Sequence, residues 1–259
     1  MTLLLAAGLA FMIAAITAPV GVSGAVFLLP VQMSILHVPA VAVTPTNLLY
    51  NLIAIPGGLL RYNRRARIQW SLTRLLVAGT IPGTVAGAVV RVCWLTGPGA
   101  FLLVVAGVLI PLGTWLVFGR SRVSLGAGEM HGRHKAPVFG LALLVGLIGG
   151  VYGIGGGSLL APILVGMGYG VAEVAPAALA STLVTSVAGL ATYLLIAFSS
   201  GSPIAPDWPM GIALGVGGFA GAYAGAALQP WLPEKLLRRM LGCTGIVVGL
   251  YYIWRATGY

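Results

Sequence analysis

Two stretches of this chain place polar and conformationally free residues inside otherwise apolar sequence. One is Gly153-Ile154-Gly155-Gly156-Gly157-Ser158-Leu159-Leu160-Ala161-Pro162, four glycines in five residues followed by a hydroxyl. Glycine costs about 1 kcal/mol in a helix interior relative to alanine, so one helix stops here and another begins. The other stretch, Gly21-Val22-Ser23-Gly24-Ala25-Val26-Phe27-Leu28-Leu29-Pro30, aligns with it without a gap and puts Pro30 on Pro162. The first four N–H groups of a helix have no partner within it, and the helix start carries about half a positive charge. Two such starts facing each other form an anion site without a fixed cationic side chain. Ser23, Gly24 and Ala25 on one side, and Gly155, Gly156, Gly157 and Ser158 on the other, are its candidate contacts. Glycine lets backbone and ligand approach closely, and the serines add hydroxyl donors.

Further neutral donors follow each break. Thr44, Thr46, Asn47, Tyr50 and Asn51 follow the first; Ser181, Thr182, Thr185, Ser186, Thr192 and Tyr193 follow the second. Thr46 with Tyr50, and Thr182 with Thr185 and Ser186, have spacings that present hydroxyls on one helix face. Thr46, Asn47, Tyr50, Asn51, Thr182, Thr185 and Ser186 therefore join the candidate binding set. A competing use is local, since Ser and Thr in membrane helices often bond back to their own backbone. The acids stand elsewhere: Glu173 in a turn, Asp207 in an external loop, Glu129 and Glu234 in cytoplasmic segments. Proton relays and sodium sites often use intramembrane acids, so the pattern favours an anion over a cation. It offers no paired acids, Ser/His pair or metal-ligand cluster, which argues against an enzyme, a metal site or a cofactor. A dinucleotide loop would need a strand before the glycines and an acid after them. His37 reads as a residue at a helix end, and Cys93 and Cys243 as small buried apolar residues.

The elements that position these residues follow from composition. Only 7% of the chain is charged, against about 25% in soluble domains, so it cannot dress a water-facing surface. Apolar runs of membrane-crossing length recur, and their continuous apolarity indicates helices rather than a barrel. The net charge of +10 is gathered in short loops, which reads as membrane topology rather than nucleic-acid binding. Residues 2–20 form a retained helix rather than a signal peptide. After the break at 21–24, residues 25–36 make a short piece of about 18 Å, too short for a core of about 30 Å. His37-Val38-Pro39 turns the chain into a run at 40–60, closed by Pro56-Gly57-Gly58, and spans at 71–92 and 99–118 follow. A polar segment, 119–136, precedes a helix at 137–152, the break at 153–157 and a short piece at 158–168. Gly168-Tyr169-Gly170 opens a turn holding Glu173 and Pro176, and the last spans are 177–198, 210–229 and 236–254.

The chain thus divides into an N-terminal repeat (1–118), a cytoplasmic linker (119–136) and a C-terminal repeat (137–259). Gly83, Gly87 and Gly107 fall on Gly221, Gly225 and Gly245 at one constant offset. Thr46 falls on Thr182 if the second copy has four extra residues in the preceding turn. Short loops rich in Lys and Arg stay cytoplasmic. That puts 61–74, 119–135 and 230–239 inside, and 95–99 and 199–209 outside. Matching segments then run in opposite directions and both termini lie outside. The expected fold is an all-α polytopic membrane protein of two inverted repeats, each a broken, re-entrant-like hairpin followed by three transmembrane helices. Inverted repeats with discontinuous helices are a transporter signature, with the site near the midplane.

The doubled glycine motif with Pro162 and Pro30, and the downstream Thr46 and Ser181-Thr182, resemble the TauE/SafE family of membrane permeases along essentially the whole chain. Ser23 and Ala25 stand where that family commonly has glycines. The resemblance implies a multi-pass transporter of a bacterial-type inner membrane for sulfur-containing anions such as sulfite, sulfonates or thiosulfate, often an exporter. The expected partners are a small anion and the lipid bilayer, with proton coupling left open. An anion channel built on the same site is the alternative.

Overall fold

A computed structural model describes residues 1–64, 69–93, 135–200 and 204–256, with scattered helical residues between 106 and 118. Apart from those residues, the expected span 99–118 and the linker up to residue 134 lie outside the described residues. So do 65–68 of the basic loop. The described elements are α1 (Thr2–Thr17) with a 3-10 turn (Ala18–Val20), α2 (Ala25–Ser34), α3 (Ala40–Asn63), α4 (Trp70–Cys93), α5 (Lys135–Tyr152), α6 (Gly156–Gly166), α7 (Val171–Ser200), α8 (Trp208–Leu228) with a 3-10 turn (Gln229–Trp231), and α9 (Glu234–Ala256). Four stretches are helical, long and apolar enough to cross a membrane: Thr2–Val20, Trp70–Cys93, Val171–Ser199 and Trp208–Trp231. This is a multi-pass, all-helical membrane protein among the described residues.

Several boundaries differ from the sequence expectation, each for a local reason. Pro56-Gly57-Gly58 does not close α3, which runs on to Asn63. These glycines serve packing, since a Cβ on Gly57 would strike the carbonyl of Phe219. The second break is shorter than 153–157, because Gly156 and Gly157 already belong to α6. Their missing side chains make room for neighbouring helices: a Cβ on Gly157 would overlap the Ala178 carbonyl. Glu173 and Pro176 lie inside α7 rather than in a turn, because Gly168 (φ 105°) completes the reversal and the helix restarts at Val171. At the other hairpin His37 takes the left-handed conformation (φ 52°), and α2 stops at Ser34. Cys93 and Cys243 are exposed rather than buried. On a membrane protein an apolar thiol is compatible with a lipid-facing surface, so burial was the wrong inference. Asp207, expected in a loop, is the N-cap of α8, and its side chain accepts from the Met210 N–H at 3.1 Å.

Packing joins elements far apart in the chain. α1 lies along α8 and α4 lies along α5; α3 also packs on α8, α4 on α7, and α3 on α7. Glycines make the α1–α8 and α4–α5 contacts close. On α8, Gly217, Gly221 and Gly225 sit against the carbonyls of Ala7, Phe11 and Ala15 of α1. On α4, Gly83 and Gly87 sit against those of Leu143 and Leu147 of α5. At each of these five positions an added Cβ would collide with backbone. Lipid tails are as apolar as a leucine side chain, so membrane helices associate by such close approach rather than by hydrophobic exclusion. The hydroxyl and amide residues that follow the breaks are turned into the interior: Thr46, Asn47, Asn51, Ser181, Thr182, Thr185 and Ser186 are fully buried.

Candidate functional site

Each break is made by glycine in the left-handed region, where a side chain is strained. Gly21 has φ 78°, Gly153 φ 69° and Gly155 φ 71°. At Gly21 a Cβ would also come within 2.5 Å of the Ala175 Cα. Ending a helix inside the membrane strands its last carbonyls, and each must find a donor. Tyr62 donates its hydroxyl to the Ala18 carbonyl (2.9 Å), and Gln229 donates to the Pro19 carbonyl (2.6 Å). At the second break Tyr193 donates to the Gly150 carbonyl (3.0 Å), Thr44 to that of Val151 (3.4 Å), and Asn51 to that of Gly153 (3.3 Å). Side chains of α3, α7 and the turn after α8 thereby hold the broken ends open.

The two breaks meet. The backbone N–H of Ser23 donates to the hydroxyl of Ser158 at 3.1 Å, joining points 135 residues apart. Ser158 in turn donates to the Ile154 carbonyl (3.1 Å) and lies 3.4 Å from the Thr182 hydroxyl. The Ser23 hydroxyl donates to the Asn51 carboxamide oxygen and accepts from the Ala25 N–H (3.2 Å). Asn47 donates to the Ala25 carbonyl (3.3 Å) and accepts from Gln32 (2.5 Å). A Cβ on Gly24 would strike the Tyr50 hydroxyl, and one on Gly155 would strike the Thr182 methyl and lie 3.4 Å from the Ser186 hydroxyl. Ser186 is fully buried and its hydroxyl has no partner among the described residues. The positive ends of α2 and α6 therefore share one neutral, buried polar cluster.

Most of the sequence candidates fall in this cluster: Ser23, Gly24, Ala25, Asn47, Tyr50, Asn51, Gly155, Gly156, Gly157, Ser158, Thr182 and Ser186. Two do not. The Thr46 hydroxyl accepts from the Asp207 N–H (2.9 Å), tying α3 to the segment before α8. Thr185 donates within its own helix, to the carbonyls of Ser181 (2.8 Å) and Thr182 (3.1 Å). Two members were not singled out from sequence. Gln32 is the one amide in the short piece after the first break, a signal that was available. Thr80 lies 3.1 Å from the Ser181 hydroxyl, and its methyl faces Gly156; its spacing of four from Thr84, on a helix of spaced glycines, was the clue. Among the described residues no group of His, Cys, Asp and Glu could hold a metal ion.

Broken helices meeting at a neutral polar centre, carried on membrane-crossing helices, belong to the class of polytopic membrane transport proteins. The chain is a member of the TauE/SafE family: the family described as "Sulfite exporter TauE/SafE" matches residues 5–252. It is also 30% identical over 176 residues to a probable membrane transporter protein of Xylella fastidiosa (strain 9a5c), a match covering 61% of this chain and 65% of that protein. No solved structure matches the chain.

Proposed function

We propose that the protein is a secondary transporter of small sulfur-containing anions of the sulfite, sulfonate or thiosulfate class, working in the export direction by alternating access of two inverted halves. The anion binds where α2 and α6 begin. The hydrogen bond between the Ser23 N–H and the Ser158 hydroxyl carries this reading, because it brings both helix starts to one buried point. On binding, the Ser23 N–H leaves the Ser158 oxygen, the Ser158 hydroxyl leaves the Ile154 carbonyl, and both donate to the oxyanion. The Ser186 hydroxyl and the Asn51 amide N–H complete the shell, joined by the Thr182 hydroxyl when it turns from the Ala178 carbonyl it bonds at 2.9 Å. A hydrogen bond to a charged partner contributes roughly 1.5–3 kcal/mol, so a few neutral donors hold an anion without trapping it. A fixed arginine or lysine would bind it more tightly and would itself be costly at membrane depth.

The inverted arrangement is supported by the pairing of helices. α1 lies on α8 as α5 lies on α4. Gly221 and Gly225 press on α1 as Gly83 and Gly87 press on α5, and these glycines correspond in sequence. Tyr62 caps Ala18 as Tyr193 caps Gly150. The substrate class comes from the family's description, and its fit to the site is the neutral-donor chemistry.

The test is flux of radiolabelled sulfite into proteoliposomes. Ser158→Ala removes the hydroxyl shared by both breaks. It should lower uptake at low sulfite about tenfold, the worth of one charge-assisted hydrogen bond, with the purified protein's melting temperature within a few degrees of wild type. Wild-type flux in both Ser158→Ala and Asn51→Ala would sink the site.

A further inference from the structure

One of the two breaks has an open space beside it. A cleft runs between the end of α1, the first break, α3, α7 and α8, lined by Thr17, Ser23, Gly24, Tyr50, Ala54 and Ala222 among others. It is open on one side, and in this conformation its interior has room for about one water molecule. At the second break the methyl of Thr80 stands where a Cβ on Gly156 would come within 2.6 Å, much as the Tyr50 hydroxyl stands at Gly24, and Thr84 donates to the Gly146 carbonyl at 3.2 Å. Thr17 is 2% exposed, yet its hydroxyl has no partner among the described residues. A buried hydroxyl without a partner weakens a fold that valine, of the same shape, would serve better. From Ile55, at the cleft wall, Arg61 lies about 9 Å further along α3 toward the basic loop. Its guanidinium sits over the Tyr223 ring at 5.7 Å, and its Nε is also without a hydrogen-bond partner.

We propose that this cleft is one half of the anion's path, from the central serines to the membrane face that carries Arg61, and that the hydroxyls of Thr17 and Tyr50 form a second station on it for a small oxyanion. The proposal rests on the transport reading above and adds a route and one residue, Thr17, to it. The order of groups suits an anion: a cation near the face, neutral hydroxyls within, and the paired helix starts at the end.

Two variants test it. Thr17→Val keeps the shape and removes the hydroxyl. The KM for radiolabelled sulfite in proteoliposomes should rise about tenfold, the worth of one hydrogen bond to a charged partner, while thermal stability stays level or rises. Thr17→Cys, made with Cys93 and Cys243 replaced by serine, should be labelled by an anionic methanethiosulfonate added, without sulfite, from the Arg61 face. Thr84→Cys should resist labelling from both faces. An unreactive Thr17→Cys, or a wild-type KM in Thr17→Val, overturns the path. The two readings fail separately. A labelled Thr17→Cys beside a Ser158→Ala variant of normal flux keeps the path and removes the central site. An impaired Ser158→Ala variant beside an unreactive Thr17→Cys does the reverse.

Discussion

Ser186 is the residue at which stability and binding should part most clearly. Its hydroxyl is buried, faces Gly155 and has no partner among the described residues. Removing an unpaired polar group costs the fold nothing and can stabilise it by about 1 kcal/mol. Ser186→Ala should therefore melt at or above the wild-type temperature. If the hydroxyl serves the anion, sulfite should raise the variant's melting temperature less than it raises the wild type's, since a ligand stabilises by mass action. An equal shift in both would remove Ser186 from the proposed shell. Residue types alone marked Ser186, Ser158 and Asn51, because hydroxyls and amides are rare enough in apolar runs to be noticed. They could not separate Thr185, whose hydroxyl is consumed by its own helix, from Thr182, which also reaches Ser158. That distinction depends on χ1 and on which neighbour is present, and neither is written in spacing.

At the scale of elements, glycine does two different jobs, and sequence distinguishes them poorly. Gly21, Gly153 and Gly155 break helices by taking positive φ. Gly57, Gly156 and Gly157 sit inside helices and admit a neighbour instead. The composition of the run at 153–157 placed the break correctly within two residues, but Gly57-Gly58 after a proline looked like a terminus and was not. A proline and two glycines weaken a helix by propensity, and tertiary packing against Phe219 and Ala222 outweighs that. The packing role predicts a contrast. Gly221→Ala would press a methyl on the Phe11 carbonyl and should destabilise by about 1–3 kcal/mol. Gly140→Ala, with nothing within 4 Å of the new carbon, should stabilise by about 0.4–1 kcal/mol. Thermal melts in detergent measure both, and equal shifts would show that the α1–α8 contact is looser than described.

For the molecule as a whole, orientation follows from charge rather than from packing. The loop beginning at Arg61 holds the densest run of arginines in the chain, and short basic loops stay cytoplasmic. With the described helices α3 and α4 on either side of it, the start of α1 should lie outside the cell. A single cysteine at residue 2, with Cys93 and Cys243 replaced because both are exposed, should react with an impermeant thiol reagent in intact cells. Labelling only after permeabilisation would reverse the orientation. The α-helical, multi-pass class was fully legible in the sequence, since 7% charge permits little else. The pairing of α1 with α8 was not, because two apolar helix faces carry no address for each other in lipid. Only their glycines hint at a partner.

That pairing has a consequence for how the protein is made. α1 emerges from the ribosome before α8, yet the glycines it rests on, Gly217, Gly221 and Gly225, belong to α8. At about 5–20 residues per second, their synthesis follows by roughly 10–40 s. Through that interval the growing N-terminal half has no seat for its first helix, and the carbonyl of Pro19 lacks the Gln229 that later caps it. α1 is thus completed by a helix made about 200 residues later, and the membrane must hold it unfinished until that helix arrives.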